Sequence, residues 1–193
     1  MFWFMDVFVF TQLNDLPENL VERFLKLVPE SRREKVLRLR NDNRKRQSLL
    51  AYILLVYALN QYNGALQFPE LPKEGQPKMN CWKNLHCSLS HCTLGVAAAV
   101  HDKPIGVDIE IVRPYNPKVA RYVCSDEEVE QIEASPDPDL AFTELWTKKE
   151  SCIKLYGGSI GPNMKQLSML FPKLHFETKI GDGWVLTTCL EKS

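Results

Sequence analysis

The amino-acid sequence predicts an α+β fold composed of two similar lobes. Each half of the chain shows the same order of segments, with an apolar strand first, then two or more helices, then further strands. This order repeats at an offset of about 100 residues, with no clear repeat of the sequence itself. Hydrophobic residues make up 45% of the 193 residues, which suffices for a substantial core. We expect an N-terminal lobe over residues 1–103 and a C-terminal lobe over residues 104–193, with a ligand cleft between them.

The elements expected in the first half follow from hydrophobic periodicity and from the positions of proline and glycine. In chain order they are a strand at 2–10, helices at 17–28, 31–40 and 43–61, an irregular segment at 68–77, and strands at 85–90 and 95–100. The first strand and the apolar run at 49–59 are both much shorter than the roughly 20 residues that a membrane-spanning helix needs. The chain also begins without the basic residues of a signal peptide. We therefore expect no membrane segment.

The second half is expected to begin with a strand and to end with several. Its elements are a strand at 105–112, helices at 126–134 and 139–156, and strands at 167–171, 174–180 and 184–190. Ser125 followed by Glu128 is the pattern of a capping box, which marks the start of the first helix. Gly157 and Gly158 mark the end of the second helix.

The composition argues against some classes of function. Lysine plus arginine and aspartate plus glutamate number 24 each, so the chain has no net basic charge of the kind that supports nonspecific nucleic-acid binding. The six cysteines include no Cys-x-x-Cys pair, and without a signal peptide they are typical of reduced thiols in a cytoplasmic protein. A zinc site is the alternative for one cluster, but we favour buried free thiols; that cluster contains Cys81, His86, Cys87, His91 and Cys92.

Two carboxylates interrupt the apolar strand in the stretch GVDIEIV at 106–112. Because a strand turns alternate side chains to opposite faces, Asp108 and Glu110 share one face. The other face carries Val107, Ile109 and Ile111. Two like charges about 7 Å apart repel each other unless a cation or several donors lie between them. The acidic face therefore either meets solvent or binds something positive.

A second charged pattern is the stretch WTKKESCIK at 146–154, within the last expected helix. Trp146, Glu150 and Lys154 recur every four residues, so they form one stripe along the helix. One interpretation is a solvent-facing ion pair between Glu150 and Lys154, with Trp146 packed beside it. The other interpretation joins Glu150 to the two strand carboxylates around one Mg²⁺ ion, whose remaining ligands would include a pyrophosphate.

Two further features suit phosphate groups. Ser90 ends the strand expected at 85–90, and His91 follows directly after it. The two residues form a reasonable phosphate-binding pair, although a lone histidine is more often a surface residue. Residues 31–50 carry eight basic side chains against two acidic ones. Such a charge run is often only a solvated helix face; the alternative is binding to a phosphate-rich ligand or to an acidic protein partner.

Together these motifs resemble the 4'-phosphopantetheinyl transferases of the surfactin-synthetase-activating (Sfp) type. GVDIE at 106–110 and WTKKESCIK at 146–154 match the two signatures of that family in order and in separation. SLSH at 88–91 precedes them, and the basic and apolar helical stretches of the first half resemble the N-terminal helices of the family. The resemblance extends over most of the chain.

The resemblance implies a duplicated α+β fold in a pseudo-twofold arrangement, with coenzyme A bound between the lobes. The implied reaction moves the phosphopantetheine arm of coenzyme A to a serine of an apo acyl or peptidyl carrier protein and releases adenosine 3',5'-bisphosphate. The duplication within one chain implies a monomer. Two alternatives remain open, a metal-dependent phosphohydrolase that uses the same acids and a noncatalytic binder of carrier proteins or coenzyme A.

The resemblance also implies roles for individual residues. Asp108, Glu110 and Glu150 would hold Mg²⁺ against the pyrophosphate of coenzyme A, and the sequence does not separate Mg²⁺ from Mn²⁺. Glu150 would act as the general base, with Glu110 as its rival, and Lys154 would neutralise charge on the phosphates. The implied contacts to coenzyme A come from Arg32, Lys35, Arg46, Gln76, Pro77, Ser90, His91 and Lys149.

Two positions depart from the family pattern. GQP at 75–77 falls where the family has Gly-Lys-Pro, so Gln76 lacks a positive charge expected near the nucleotide phosphates. Gln47 stands where many relatives carry arginine, and Arg44 or Arg46 would replace it. Neither departure touches the three acids, so we expect activity with weaker coenzyme A binding.

Overall fold

The computed structural model describes residues 6–17, 19–64, 66, 68–71, 80–82, 84–156 and 160–192. In these residues the helices are α1 Leu20–Leu25, α2 Glu30–Leu37, α3 Asp42–Asn63, α4 Pro117–Val123, α5 Asp126–Glu133 and α6 Pro138–Tyr156. The strands are β1 Asp6–Phe10, β2 Asn80–Trp82, β3 Leu85–His91, β4 Val96–His101, β5 Ile105–Ile111, β6 Leu174–Gly181 and β7 Trp184–Glu191. Two 3-10 segments lie at Leu13–Asp15 and Pro162–Lys173. The predicted α+β class is confirmed.

The strands form two antiparallel sheets whose topologies match. The first sheet has the order β1-β4-β3-β2 and the second has the order β5-β7-β6. In each sheet the first strand pairs with the second strand of a later hairpin, β1 with β4 and β5 with β7. Helices lie in the chain between the paired strands in both cases. The repeated order of segments in the sequence therefore corresponds to a repeated pairing of strands.

A layered core holds the two sheets together. One face of the first sheet packs on α3, in a cluster that contains Leu55, Ala58, Leu59, Cys87, Ala98 and Val100. Its other face packs on the second sheet, in a cluster that contains Ala97, Ala99, Val107, Ile109 and Leu186. The far face of the second sheet packs on α6, in a cluster that contains Cys152, Leu155 and Cys189. Neighbouring residues of β4 point to opposite faces of the first sheet, so this strand contributes both to the contact with α3 and to the contact with the second sheet.

Most predicted elements are confirmed, with boundaries that differ by a few residues. The helix expected at 17–28 forms only at Leu20–Leu25. The strand expected at 2–10 is confirmed for Asp6–Phe10, the part that is described. Residues 72–79, which include most of the irregular segment expected at 68–77, lie outside the described residues.

The strand expected at 167–171 is wrong, because these residues belong to the 3-10 segment Pro162–Lys173. The apolar residues Met164, Leu167 and Leu170 recur every three positions, which is the period of a 3-10 helix and not that of a strand. No prediction covered α4, although its local signals are present. Its N-cap residue accepts two backbone hydrogen bonds, and a proline occupies its first turn.

The apolar helix α3 is confirmed as a core helix. It begins after Asn41, whose side chain accepts a hydrogen bond from the Arg44 N–H, and Leu49, Tyr52 and Leu55 are fully buried in it. Within the described parts of the chain, no helix combines the length and the apolar character that a membrane crossing requires.

The cysteines that the structure describes as free are buried in the apolar layers. They are Cys87, Cys92, Cys124, Cys152 and Cys189. Cys87 packs between α3 and the first sheet, and Cys92 packs between the two sheets. The interpretation of these residues as buried free thiols is confirmed.

Candidate active site

The two predicted motifs meet where β5 packs on α6. Val107 and Ile109 face the first sheet, and the alternation of the strand turns Asp108 toward α6, where it is only 3% exposed. Gly106 allows the helix backbone to come close, because a Cβ atom there would lie 1.9 Å from the Ser151 carbonyl oxygen. Gly106 and Asp108 therefore both face α6 and contribute to the contact between β5 and α6.

Asp108 is the centre of the polar contacts. Its Oδ1 accepts hydrogen bonds from Lys154 Nζ and from Ser90 Oγ, both at 2.7 Å. Its Oδ2 is buried and has no hydrogen-bond partner in the described part of the chain. Since Lys154 lies on α6 and Ser90 on β3, three separate segments converge on one carboxylate.

Glu110 and Glu150 are carboxylates with perturbed acidity. Burial, followed by the negative charge of Asp108, raises the pKa of each to about 7. Lys154 opposes the shift at both residues, and Arg113 opposes it at Glu110. Glu150 is 9% exposed, and its Oε1 has no hydrogen-bond partner among the residues described. Asp108 is therefore close enough to both glutamates to raise their pKa values.

The donor atoms of this group suit a hard divalent cation. Asp108 Oδ2 and Glu150 Oε1 are buried carboxylate oxygens without partners, and Mg²⁺ prefers oxygen ligands. A cation would also offset the repulsion that contributes to the raised pKa values. In the present side-chain positions, however, the described residues contain no group of three or more His, Cys, Asp or Glu that could hold a metal ion. Ligation by all three acids would therefore require side-chain rotation.

One basic group from the first half of the chain, His91, interacts with Asp108, and its charge is also affected by Arg32. His91 ends β3, and its pKa is lowered to about 4 by burial and by the positive charges of Lys154 and Arg32. The pKa of Lys35 is also lowered, first by partial burial and then by the charge of Arg32. Because each cation makes its neighbours' charged forms less favourable, a bound dianion would relieve the repulsion. The arrangement suits a phosphate group.

Arg32 is held within the protein. It is 6% exposed, and its Nη2 donates to both the carbonyl oxygen and the hydroxyl oxygen of Ser48. Its guanidinium lies 5.1 Å from the centre of the Tyr52 ring. Burial lowers the pKa of Arg32 to about 10. The charge of Arg32 therefore acts on Lys35 and His91 from a fixed position.

Arg46 is bound to the backbone near the start of the chain. Its Nη2 donates to the carbonyl oxygens of Leu13 and Leu16, at 2.8 and 2.6 Å. These contacts tie α3 to the first 3-10 segment. Gln76 and Pro77, which were also expected to contact coenzyme A, lie outside the described residues.

Lys149 does not join the acids, although it directly precedes Glu150. Successive helical residues point about 100° apart, and Lys149 has no exposed surface. Its ammonium donates to Glu128 Oε2 at 2.6 Å and to the carbonyl oxygens of Val123 and Met164 at 3.0 and 2.9 Å. The expected contact between Lys149 and coenzyme A is not supported by this position, because its three donors are used within the protein.

A cleft beside Glu110 was not predicted from the sequence. It encloses about 380 Å³, and its walls include Glu110, Arg113, Phe142 and Trp146. Phe142 lies one helical turn before Trp146, and the two ring centres are 5.9 Å apart, so the predicted stripe on α6 extends by one residue. The four-residue spacing of the stripe would have identified Phe142.

Fold and site together define an α+β protein with clustered acids beside basic groups, an arrangement suited to an enzyme that acts on phosphates with a divalent cation. The family model described as 4'-phosphopantetheinyl transferase superfamily matches residues 104–186, which contain both motifs. The similarity to this superfamily therefore covers the part of the chain that contains both motifs.

The similarity to individual relatives is modest in identity and extends into the first half of the chain. A 4'-phosphopantetheinyl transferase of Bacillus subtilis is 27% identical over 169 residues, which cover 84% of this chain and 75% of the relative. The 4'-phosphopantetheinyl transferase Sfp of Bacillus subtilis strain 168 is 26% identical over 165 residues, or 82% of this chain and 72% of that protein. The 4'-phosphopantetheinyl transferase psf-1 of Bacillus pumilus is 31% identical over 121 residues, or 60% of this chain and 52% of the relative. The chain is therefore similar to members of the Sfp type.

Proposed function

We propose that this protein transfers the phosphopantetheine arm of coenzyme A to a serine of an apo acyl or peptidyl carrier protein and releases adenosine 3',5'-bisphosphate. The observation that carries the proposal is the 2.7 Å contact between Asp108 and Lys154, which joins the two sequence motifs in one buried site. The relatives described above are all named 4'-phosphopantetheinyl transferases, so they favour neither a phosphohydrolase nor a noncatalytic binder.

The proposal includes a divalent cation, Mg²⁺ or Mn²⁺, held by Asp108, Glu110 and Glu150. Support comes from the two buried carboxylate oxygens without partners and from the raised pKa values of Glu110 and Glu150. When bound, the cation would supply electrostatic stabilisation of the negative charge on the pyrophosphate.

The side chains of the site would move the proton and balance the charge. A carboxylate whose pKa is raised by burial is a stronger base than an ordinary glutamate, so Glu150 is suited to accept the proton of the attacking serine. Glu110 has a similar pKa and remains the rival base. Lys154 would donate to the phosphate oxygens and stabilise the charge that develops on the leaving adenosine 3',5'-bisphosphate.

The remaining contacts to coenzyme A are proposed for Arg32, Lys35 and His91, because the charge of Arg32 acts on both of the other residues. Ser90 would contact the 3'-phosphate only by giving up its hydrogen bond to Asp108, because a hydroxyl has a single donor. Arg46 remains a proposed contact, because its Nε has no hydrogen-bond partner in the described part of the chain, although its Nη2 donates to two backbone carbonyl oxygens. Lys149 is left out of the proposal, because its ammonium donates to three acceptors within the protein.

The proposal also covers the division into lobes, the cellular location and the oligomeric state. The division into lobes at residues 1–103 and 104–193 is supported by the change of sheet between β4 and β5. A cytoplasmic location is supported by the free thiols of the described cysteines. A monomer is supported by the matching strand order within one chain. We propose no nucleic-acid or membrane partner.

The proposal is tested by mixing the protein with coenzyme A, Mg²⁺ and several unrelated apo carrier proteins and weighing each carrier by mass spectrometry. We expect a mass gain that corresponds to one phosphopantetheine on at least one carrier. If coenzyme A binds but no carrier gains mass, the chain is a noncatalytic binder. Cleavage of coenzyme A without modification of a carrier would indicate a phosphohydrolase.

The variants D108A and E150A test the residue assignment. Each should lower the transfer rate by at least about 1,000-fold, because each removes a charge from the reacting pyrophosphate site. The far-ultraviolet circular dichroism of both variants should match that of the wild type. The matched control is E127A, an exposed acid on α5, which should keep wild-type activity. Activity retained in D108A or in E150A would contradict the shared role of these acids.

A further inference from the structure

The proposed chemistry makes no use of a second buried charged pair. Lys149 Nζ lies 2.6 Å from Glu128 Oε2, and the two side chains are 0% and 11% exposed. Removing two charges from water is costly, and replacing such a pair with apolar residues of similar volume is often neutral or stabilising. Stability alone is therefore a weak explanation for a buried lysine next to Glu150.

The pair joins several segments at one point of α6. Lys149 also donates to carbonyl oxygens at the end of α4 and in the second 3-10 segment. Glu128 also accepts hydrogen bonds from the Ser125 N–H, at the start of α5, and from the Ser168 hydroxyl, in the same 3-10 segment. Three neighbouring segments are thus tied to α6 through a single lysine.

The other side of α6 is held by the second sheet. The backbone of Ser151 lies against Gly106 of β5, and the hydroxyl groups of Thr147 and Thr187 are 2.8 Å apart. The helix is therefore held on two sides, immediately before and immediately after Glu150. A small rotation of α6 would move the Glu150 carboxylate relative to β5.

We propose that Lys149 and Glu128 are positioning residues that set the rotation of α6 and thereby place the Glu150 carboxylate beside Asp108. The kinetic test of this inference rests on the proposed transferase function. The structural test does not, because it concerns only the position of a side chain.

The kinetic test uses the double variant K149M/E128M, which removes both charges together and leaves neither unpaired. We expect kcat to fall by about 10- to 100-fold, since a misplacement of about 1 Å at a reacting group has an effect of this size. The KM values for coenzyme A and for the carrier should stay within about twofold of the wild type. The matched control is K148M, because Lys148 is the preceding residue of α6 and is only partly buried. K148M should keep the wild-type kcat, and an unchanged kcat in K149M/E128M would overturn the inference.

Crystal structures of the wild type and of K149M/E128M give a readout that does not depend on transfer. We expect the Glu150 carboxylate to move by about 1 Å or more relative to Asp108. An unmoved carboxylate would overturn the inference whether or not the wild type transfers phosphopantetheine. If the carboxylate moves in the variant but the wild-type protein modifies no carrier, the result supports the inference and overturns the proposed function.

The variants E128Q and E128A test the inference if K149M/E128M does not fold. Glutamine at position 128 keeps an acceptor for Lys149 and the capping role, so E128Q should stay within about fivefold of the wild-type kcat. E128A removes both, and its kcat should be at least about tenfold below that of E128Q at unchanged KM. Equal kcat values in these two variants would overturn the inference.

Discussion

Single residues of the candidate site have unfavourable electrostatics that the neighbouring cations offset only in part. Glu110 and Glu150 keep raised pKa values even though Lys154 acts on both of them. His91 has a lowered pKa because burial and the positive charges of Lys154 and Arg32 disfavour the imidazolium. Acids and bases whose pKa values are shifted in opposite directions within one site are typical of ligand-binding and catalytic residues. A bound cation would lower the raised pKa values of the two glutamates, and a bound anion would raise the lowered pKa of His91.

This arrangement predicts how stability depends on pH. An acid with a raised pKa binds more protons when folded, so the free energy of unfolding falls as pH rises between the unfolded and folded values. For Glu110 and Glu150 this window extends from 4.5 to about 7. After allowance for solvent screening, we expect a loss of about 2 kcal/mol across the window in the presence of EDTA. Urea unfolding at several pH values in the window measures it.

The variant E150Q provides the control for this prediction. Because glutamine does not titrate, the fall of the unfolding free energy with pH should become smaller in E150Q. Added Mg²⁺ should stabilise the wild type more at the upper end of the window, where the acids are charged. A wild-type unfolding free energy that rises between the two pKa values would contradict the prediction.

At the scale of secondary-structure elements, the contact between β5 and α6 depends on a glycine. A Cβ atom at position 106 would lie 1.9 Å from the Ser151 carbonyl oxygen and 2.9 Å from its carbonyl carbon. Both atoms belong to the backbone, so no side-chain rotation can relieve the overlap. We expect G106A to push α6 away from the sheet.

The variant G106A should lower the free energy of unfolding by about 3 kcal/mol, the upper part of the range for overpacked cores. It should also remove most transfer activity, because Glu150 and Lys154 move with the helix. Urea unfolding and the carrier assay measure the two effects. The control is G161A, where the nearest atom to an added Cβ is the Tyr122 hydroxyl oxygen at 4.0 Å. Equal unfolding free energies for G106A and G161A would contradict the packing argument.

Local patterns predicted some features of these elements and failed for others, for physical reasons. Strand alternation correctly separated Asp108 from Val107, whereas the contact between Lys154 and Asp108 was not predicted. Helical geometry turns Lys149 away from Glu150, its neighbour in sequence, so the contact to coenzyme A that the resemblance implies for Lys149 gains no support from its position. The strand predicted at 167–171 is wrong because five residues are too few to reveal the three-residue period, which becomes clear only when Met164 is included. The cleft beside Glu110 depends on tertiary packing of α4 and α6, which no local pattern contains.

At the scale of the whole molecule, the two sheets share one core and are bridged by serine hydroxyl groups. Ser88 and Ser90 of β3 reach across to β5, where Ser88 Oγ accepts from the Val107 N–H at 3.0 Å and Ser90 Oγ donates to Asp108. The SLSH stretch, for which the sequence predicts phosphate binding, therefore joins the two sheets. Ser88 is fully buried, so the Val107 N–H has no access to solvent as a substitute.

The variant S88A tests this joint. The substitution removes the Ser88 hydroxyl and leaves the buried Val107 N–H without an acceptor. We therefore expect the free energy of unfolding to fall by about 1–3 kcal/mol. Because both sheets contribute to one apolar cluster, tryptophan fluorescence and far-ultraviolet circular dichroism should still report a single unfolding transition. The control is S31A, whose hydroxyl bonds the exposed Glu70, and which should change stability by no more than about 0.5 kcal/mol. Equal unfolding free energies for S88A and S31A would show that the serine hydroxyl does not stabilise the contact between the sheets. Two separate unfolding transitions would show that the sheets unfold independently.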